Sequence, residues 1–158
     1  MIGSFQENVS LYKKEYFVEL KNLAIGHKVF FHANMPHREV LRFLDESKIY
    51  WHARGYEEEN PNEYENFGIT TVEAMAAGCV PIVIGLGAQP EIVDDGVNGF
   101  VWNKPEELIK HTENLIKNKR LMNKLSNAAI KKSKKYSSGI FERKILKVVD
   151  DVMKQQKN

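Results

Sequence analysis

Glu65 and Glu73 stand eight positions apart around Asn66-Phe67-Gly68-Ile69-Thr70, a stretch whose residue types and spacing could do chemistry. The periodicity after Gly68 predicts a helix, and the acidic loop before it predicts that this helix start is presented to solvent. A helix N-terminus leaves about four backbone N–H groups unpaired and carries roughly half a positive charge. It can therefore hold a phosphate without a metal ion, and Gly68 would let the ligand approach the backbone closely. Carboxylates on either side of such a phosphate can accept hydrogen bonds from hydroxyls at both ends of one ligand, and a nucleotide sugar is such a ligand. From spacing alone, two solvated carboxylates at a helix start remain the alternative.

The elements that must position this stretch alternate in βα fashion over the first two thirds of the chain. Strands are predicted at 28–32, 48–52, 79–84 and 99–102, and helices at 11–23, 38–46 and 68–77. Val72, Met75 and Ala76 are expected to face inward. The continuous apolar runs at 28–32 and 79–84 suit strands covered on both faces, as in a doubly wound sheet. In such sheets ligands bind at the carboxyl ends of the strands, where the Glu65 loop falls. Three more helices are predicted over 105–118, with Pro105 in the first turn, 120–135 and 138–153. The fold class is thus α/β, a Rossmann-like parallel sheet flanked by helices. The expected organisation is a domain over residues 1–137, lacking one or more upstream strands, followed by a C-terminal helix over 138–158.

Composition narrows the classes of function. At 158 residues the chain matches one domain of ordinary size, and no apolar run approaches the roughly 20 residues of a membrane span. The single cysteine, Cys79, lies in an apolar run, which predicts a buried structural thiol and fits a reducing, cytoplasmic setting. Charge is uneven: the net charge of +2 divides into −7 before Lys104 and +9 from Lys104 onward. The basic part, including Lys131-Lys132-Ser133-Lys134-Lys135, suits either solvated helices or an anionic membrane surface touched peripherally. His27, His37 and His111 lack neighbours at metal-ligand spacing, so no metal site is expected. Tyr50, Trp51, Phe30 and Phe31 are expected in the core rather than as stacking platforms, and no nucleic-acid partner is expected.

The run from Glu65 to Pro81 closely resembles the E-x7-E signature of the retaining glycosyltransferases of family 4, built on the GT-B fold of two Rossmann-like domains. Gly87-Ala88-Gln89-Pro90-Glu91-Ile92-Val93 and Asp95-Gly96-Val97-Asn98-Gly99-Phe100 resemble that family's GG-x-PEIV and G-x-NG elements. Ala88 replaces the second glycine of the pair, a change that a negative φ would tolerate. The resemblance implies the donor-binding, C-terminal half of a hexosyltransferase. Glu65 would contact hydroxyls of the transferred sugar as the catalytic carboxylate. Backbone groups of Phe67, Gly68, Ile69 and Thr70 would hold the diphosphate, and Glu73 the ribose. His52 is implied at the donor site, and Asn34 on a loop that meets the base. No cofactor or metal is implied beyond the nucleotide-diphosphate sugar itself. The family's Arg/Lys pair and its acceptor-binding domain have no counterpart in this sequence, so weak donor binding and little catalysis by the chain alone are expected. A non-catalytic nucleotide- or sugar-binding module of the same fold is the alternative.

Overall fold

The computed structural model describes residues 2–3 and 11–155, with side chains from Glu15 to Lys154. The chain divides into two compact units, Met1–Phe43 and Leu44–Asn158. In the first, β1 (Ile2–Gly3) pairs parallel to β2 (His32–Ala33), with Ile2 opposite His32, and α1 (Leu11–Leu23) lies between them in sequence. The strand expected at 28–32 is not formed over most of that run. The Val29 amide donates to the His27 carbonyl at 2.9 Å, so a tight turn uses the backbone before it can join a ladder. Phe31 packs edge-on to Phe17 at 5.7 Å, whereas Phe30 is 70% exposed and not in a core. The Lys21 ammonium lies 4.5 Å from the Phe17 ring centroid, a cation–π contact within α1. The division between the units falls within α2 (His37–Glu46).

The second unit is a three-stranded parallel sheet in the order β3 (Ile49–His52), β4 (Val80–Ile84), β5 (Phe100–Trp102). Ile49 lies opposite Val80, and Ile82 opposite Phe100. Every residue of β4 is buried, as the unbroken apolar run predicted for a strand covered on both faces. Its alternation feeds two cores. Val80, Ile82 and Ile84 pack with Phe100, Trp102, Leu115 of α5 (Pro105–Lys117) and Leu125 of α6 (Lys119–Ser133). Val83 points the other way, to Met75 of α3 (Ile69–Ala76), Ile92 of α4 (Gln89–Ile92), Val93 and Ala129. In α3, Met75 is buried and Val72 packs on the same core, as expected, while Ala76 is exposed and Thr71 and Ala74 take the remaining buried positions. That face packs against α6, with Ala129 in the same cluster.

Trp51 corrects another expectation. It shares a face of β3 with Ile49, yet it is 58% exposed, and its indole N–H donates to Thr112 Oγ1 of α5 at 3.0 Å. Cys79 is fully buried and donates to the carbonyls of Leu44 and Ser47; desolvation raises its pKa, as suits a structural thiol. At the head of α5, Pro105 takes the first turn, and the Glu107 carboxylate accepts from the amides of Asn103 and Lys104 at 2.8 and 3.1 Å. Beyond a 3-10 turn at Lys134–Tyr136, α7 (Ser138–Gln155) carries exposed Phe141, Ile145, Val149 and Val152. No helix among the described residues is long and apolar enough to cross a membrane.

Candidate functional site

The site is built where β3 ends and α3 begins. After His52 the chain enters the acidic loop, which is tied to itself. Arg54 Nε donates to the Glu63 carbonyl at 3.1 Å, the Tyr64 hydroxyl donates to the Glu58 carbonyl at 3.1 Å, and Asn60 caps a 3-10 turn at Pro61–Glu63. These bonds deliver Glu65 to the carboxyl end of the sheet. A second loop supports it from the β4 side, where the Ala88 amide donates to the Glu65 carbonyl at 2.8 Å. At Gly87, φ is +59° and an added Cβ would meet that same carbonyl, so the approach requires glycine. Ala88 has φ −75°, the conformation expected to tolerate its methyl.

The Glu65 carboxylate is divided between two groups of donors. Oε1 accepts from the amides of Phe67 and Gly68, both at 3.1 Å. Oε2 faces His52 Nε2 at 3.8 Å and Arg54 Nη1 at 4.0 Å. Gly68 then turns into α3 at φ +66°. Among the described residues, the amides of Ile69, Thr70 and Thr71 make no hydrogen bond, which leaves the positive end of α3 open. The side chains of Phe67 and Ile69 are largely exposed, and Thr70 is exposed too, so what these positions offer a ligand is backbone. Glu73 is half-buried at the fifth position of α3. The Tyr50 phenol is raised in pKa chiefly by burial, against a Thr71 hydrogen bond that lowers it, with Glu65 and Glu73 adding to the rise.

Thus Glu65, Phe67, Gly68, Ile69, Thr70, Glu73 and His52 share one end of the second unit. Asn34 belongs to the first unit, exposed just after β2 at φ +55°. The amide of Gly68 is engaged by Glu65 rather than open, because a carboxylate three residues before a left-handed glycine reaches its N–H. Sequence reasoning missed Arg54, although a cation two residues past a strand end, on the ligand side of a parallel sheet, was a usable signal. It also missed Gln89, buried with Oε1 accepting from Thr71 Oγ1 at 3.0 Å beneath the loop; nothing in its local sequence marks it. No three His, Cys, Asp or Glu side chains cluster as metal ligands among the described residues.

Burial lowers the His52 pKa, with Arg54 acting the same way against the upward pull of Glu65. At neutral pH its contact with Glu65 therefore involves a neutral imidazole. For Glu65, partial burial raises the pKa, but the amides of Gly68 and Phe67 together with His52 and Arg54 outweigh it and leave the value lowered. Both shifts make the unfolded chain the better proton binder, so stability falls on acidification. The His52 contribution is present above its ordinary pKa of 6.5 and lost as pH falls through the folded value; Glu65 behaves likewise below 4.5. Urea midpoints measured from pH 7.5 downward should decline, and His52→Gln should flatten the upper part of that decline. An unchanged slope in the variant would contradict the assignment.

Comparison with known proteins adds the following. The family described as Glycosyl transferases group 1 matches residues 8–132. Alpha-monoglucosyldiacylglycerol synthase of Acholeplasma laidlawii is 35% identical over 82 residues, covering 52% of this chain and 21% of that protein. Sucrose-phosphate synthase of Thermosynechococcus elongatus superposes with a TM-score of 0.78 at 14% identity, over 98% of this chain and 38% of that one. HepE of Anabaena, solved in complex with UDP-glucose, superposes with a TM-score of 0.76 at 19% identity, over 95% of this chain and 40% of that one. At such identities the structural likeness is one of fold, the parallel sheet flanked by helices. The chain spans well under half the length of each of these proteins.

Proposed function

The chain belongs to the Glycosyl transferases group 1 family, and from that membership we propose that it is the donor-binding part of a retaining hexosyltransferase. The observation that carries the reading is the open N-terminus of α3, with unpaired amides at Ile69, Thr70 and Thr71 flanked by Glu65 and Glu73. Such a terminus is complementary to the diphosphate of a nucleotide sugar, and most so to the charge that grows on it as the glycosidic bond breaks. Glu65 lies on the sugar side of that phosphate site and Glu73 on the ribose side. The helix dipole and amides supply stabilisation that a divalent cation gives in other transferases, so no metal takes part. Transfer with retention proceeds by front-face attack, the leaving phosphate oxygen taking the acceptor's proton. Glu65 orients and stabilises. The acceptor is held by a further domain.

Support for a nucleoside-diphosphate donor comes from the fold shared with HepE, which was solved with UDP-glucose. Calorimetry with UDP-glucose and GDP-glucose tests the proposal. One of them should bind in the micromolar to millimolar range, and EDTA should leave that affinity unchanged. Glu73→Ala should weaken it roughly tenfold, about 1.4 kcal/mol. If neither nucleotide sugar binds at millimolar concentration, the reading fails.

A further inference from the structure

The Glu65 carboxylate engages amides next to those that the donor-binding reading assigns to a phosphate. Oε1 lies between the amides of Phe67 and Gly68, immediately ahead of the three unpaired amides of α3. A carboxylate oxygen held by two backbone N–H groups at 3.1 Å is chemically a substitute for a phosphoryl or hydroxyl oxygen. A ligand oxygen seated there must displace it, and a displaced carboxylate needs other donors. Two stand ready on the far side, His52 Nε2 at 3.8 Å and Arg54 Nη1 at 4.0 Å, each a little beyond hydrogen-bond range.

Both are held in place. Arg54 is fixed through its Nε bond to the Glu63 carbonyl, which leaves its Nη groups to face Glu65. His52 is 9% exposed and its backbone carbonyl accepts from the Trp102 indole at 3.2 Å. Its Nδ1 is buried without a partner, so the tautomer protonated on Nε2 presents its donor toward Glu65 and leaves Nδ1 as the idle acceptor.

On the donor-binding reading above, we propose that Glu65 competes with a donor oxygen for the Phe67 and Gly68 amides and that His52 and Arg54 receive its carboxylate when the donor binds. His52 and Arg54 are then positioning residues. They hold Glu65 off the phosphate-binding amides and turned to the sugar. Glu65 thus both competes for the amides and reads the sugar of a bound donor. Removing it should therefore affect a nucleotide with a sugar and a nucleotide without one in opposite directions.

Calorimetry of the chain and its Arg54→Gln and Glu65→Ala variants against UDP and UDP-glucose tests this. Glu65→Ala should bind UDP roughly threefold more tightly, because the amides are freed, and UDP-glucose roughly tenfold more weakly. Arg54→Gln should weaken UDP-glucose by a similar factor while leaving UDP within about twofold. Arg54 is mostly exposed, so this variant keeps the fold should Glu65→Ala loosen the loop. A purely structural role for these residues predicts parallel losses for both ligands, and that result, or a Glu65→Ala protein no better at binding UDP, overturns the inference alone. A parent chain that binds neither ligand sinks the donor-binding reading together with it.

Discussion

Gly68→Ala is expected to abolish nucleotide-sugar binding and to lower stability by about 2–4 kcal/mol. Two independent penalties combine. The backbone at Gly68 has φ +66°, a region in which a Cβ is disfavoured, and the added methyl would drive into Ile92 Cδ1 with Gln89 Nε2 at 3.3 Å. Ile92 is a core residue packed with Met75 and Val83, so turning its tip aside disturbs that cluster and leaves the φ penalty in place. Any relief taken through the loop would lift the head of α3 and break the paired 3.1 Å bonds from Phe67 and Gly68 to Glu65. Urea denaturation gives the stability change, and calorimetry with UDP-glucose gives the binding change. A variant that keeps parental affinity would show that the left-handed turn is not needed at the site.

Trp102→Ala is expected to cost about 3–5 kcal/mol, the largest single loss from the sheet. Trp102 ends β5 at 2% exposure in the cluster with Ile84, Leu115 and Leu125. Its ring also lies 5.5 Å from Tyr56, and its indole N–H donates to the His52 carbonyl across the sheet end. Against a typical total stability of about 5–15 kcal/mol, such a loss leaves a substantial unfolded fraction. Trp102→Phe retains most of the buried area but not the donor. It should lose less stability in urea while still perturbing His52, visible as a changed imidazole titration by NMR. Equal stability of the alanine variant and the parent would place Trp102 outside the core.

The parts of the fold legible in the sequence are those with strong periodicity or strong breakers. The run 79–84 gives β4 because six consecutive apolar residues suit burial on both faces of a sheet, and α1 spans Leu11–Leu23 as expected. Short-range pattern failed where turns competed with it. The run 28–32 has the composition of a strand, yet a local turn takes the Val29 amide and leaves only His32–Ala33 to pair. The aromatic character of Trp51 suggested core, but how much of it α5 covers is decided by packing, which leaves it 58% exposed. Gln89 carries no local signature, since its value comes from contact with Thr71, eighteen positions away.

By itself the sequence determined the βα order, the α/β class and the placing of a helix start between two carboxylates. These follow from periodicity, a glycine and the identity of neighbours along the chain. Tertiary structure decided how the site is wired. The α3 amides at Ile69, Thr70 and Thr71 are open, while those of Phe67 and Gly68 are occupied by Glu65, and the other oxygen of Glu65 faces His52 and Arg54. Those pairings depend on distances of 3 to 4 Å between residues on a strand end, a loop and a helix start. Spacing along the chain fixes which groups are present; only packing fixes which of them meet.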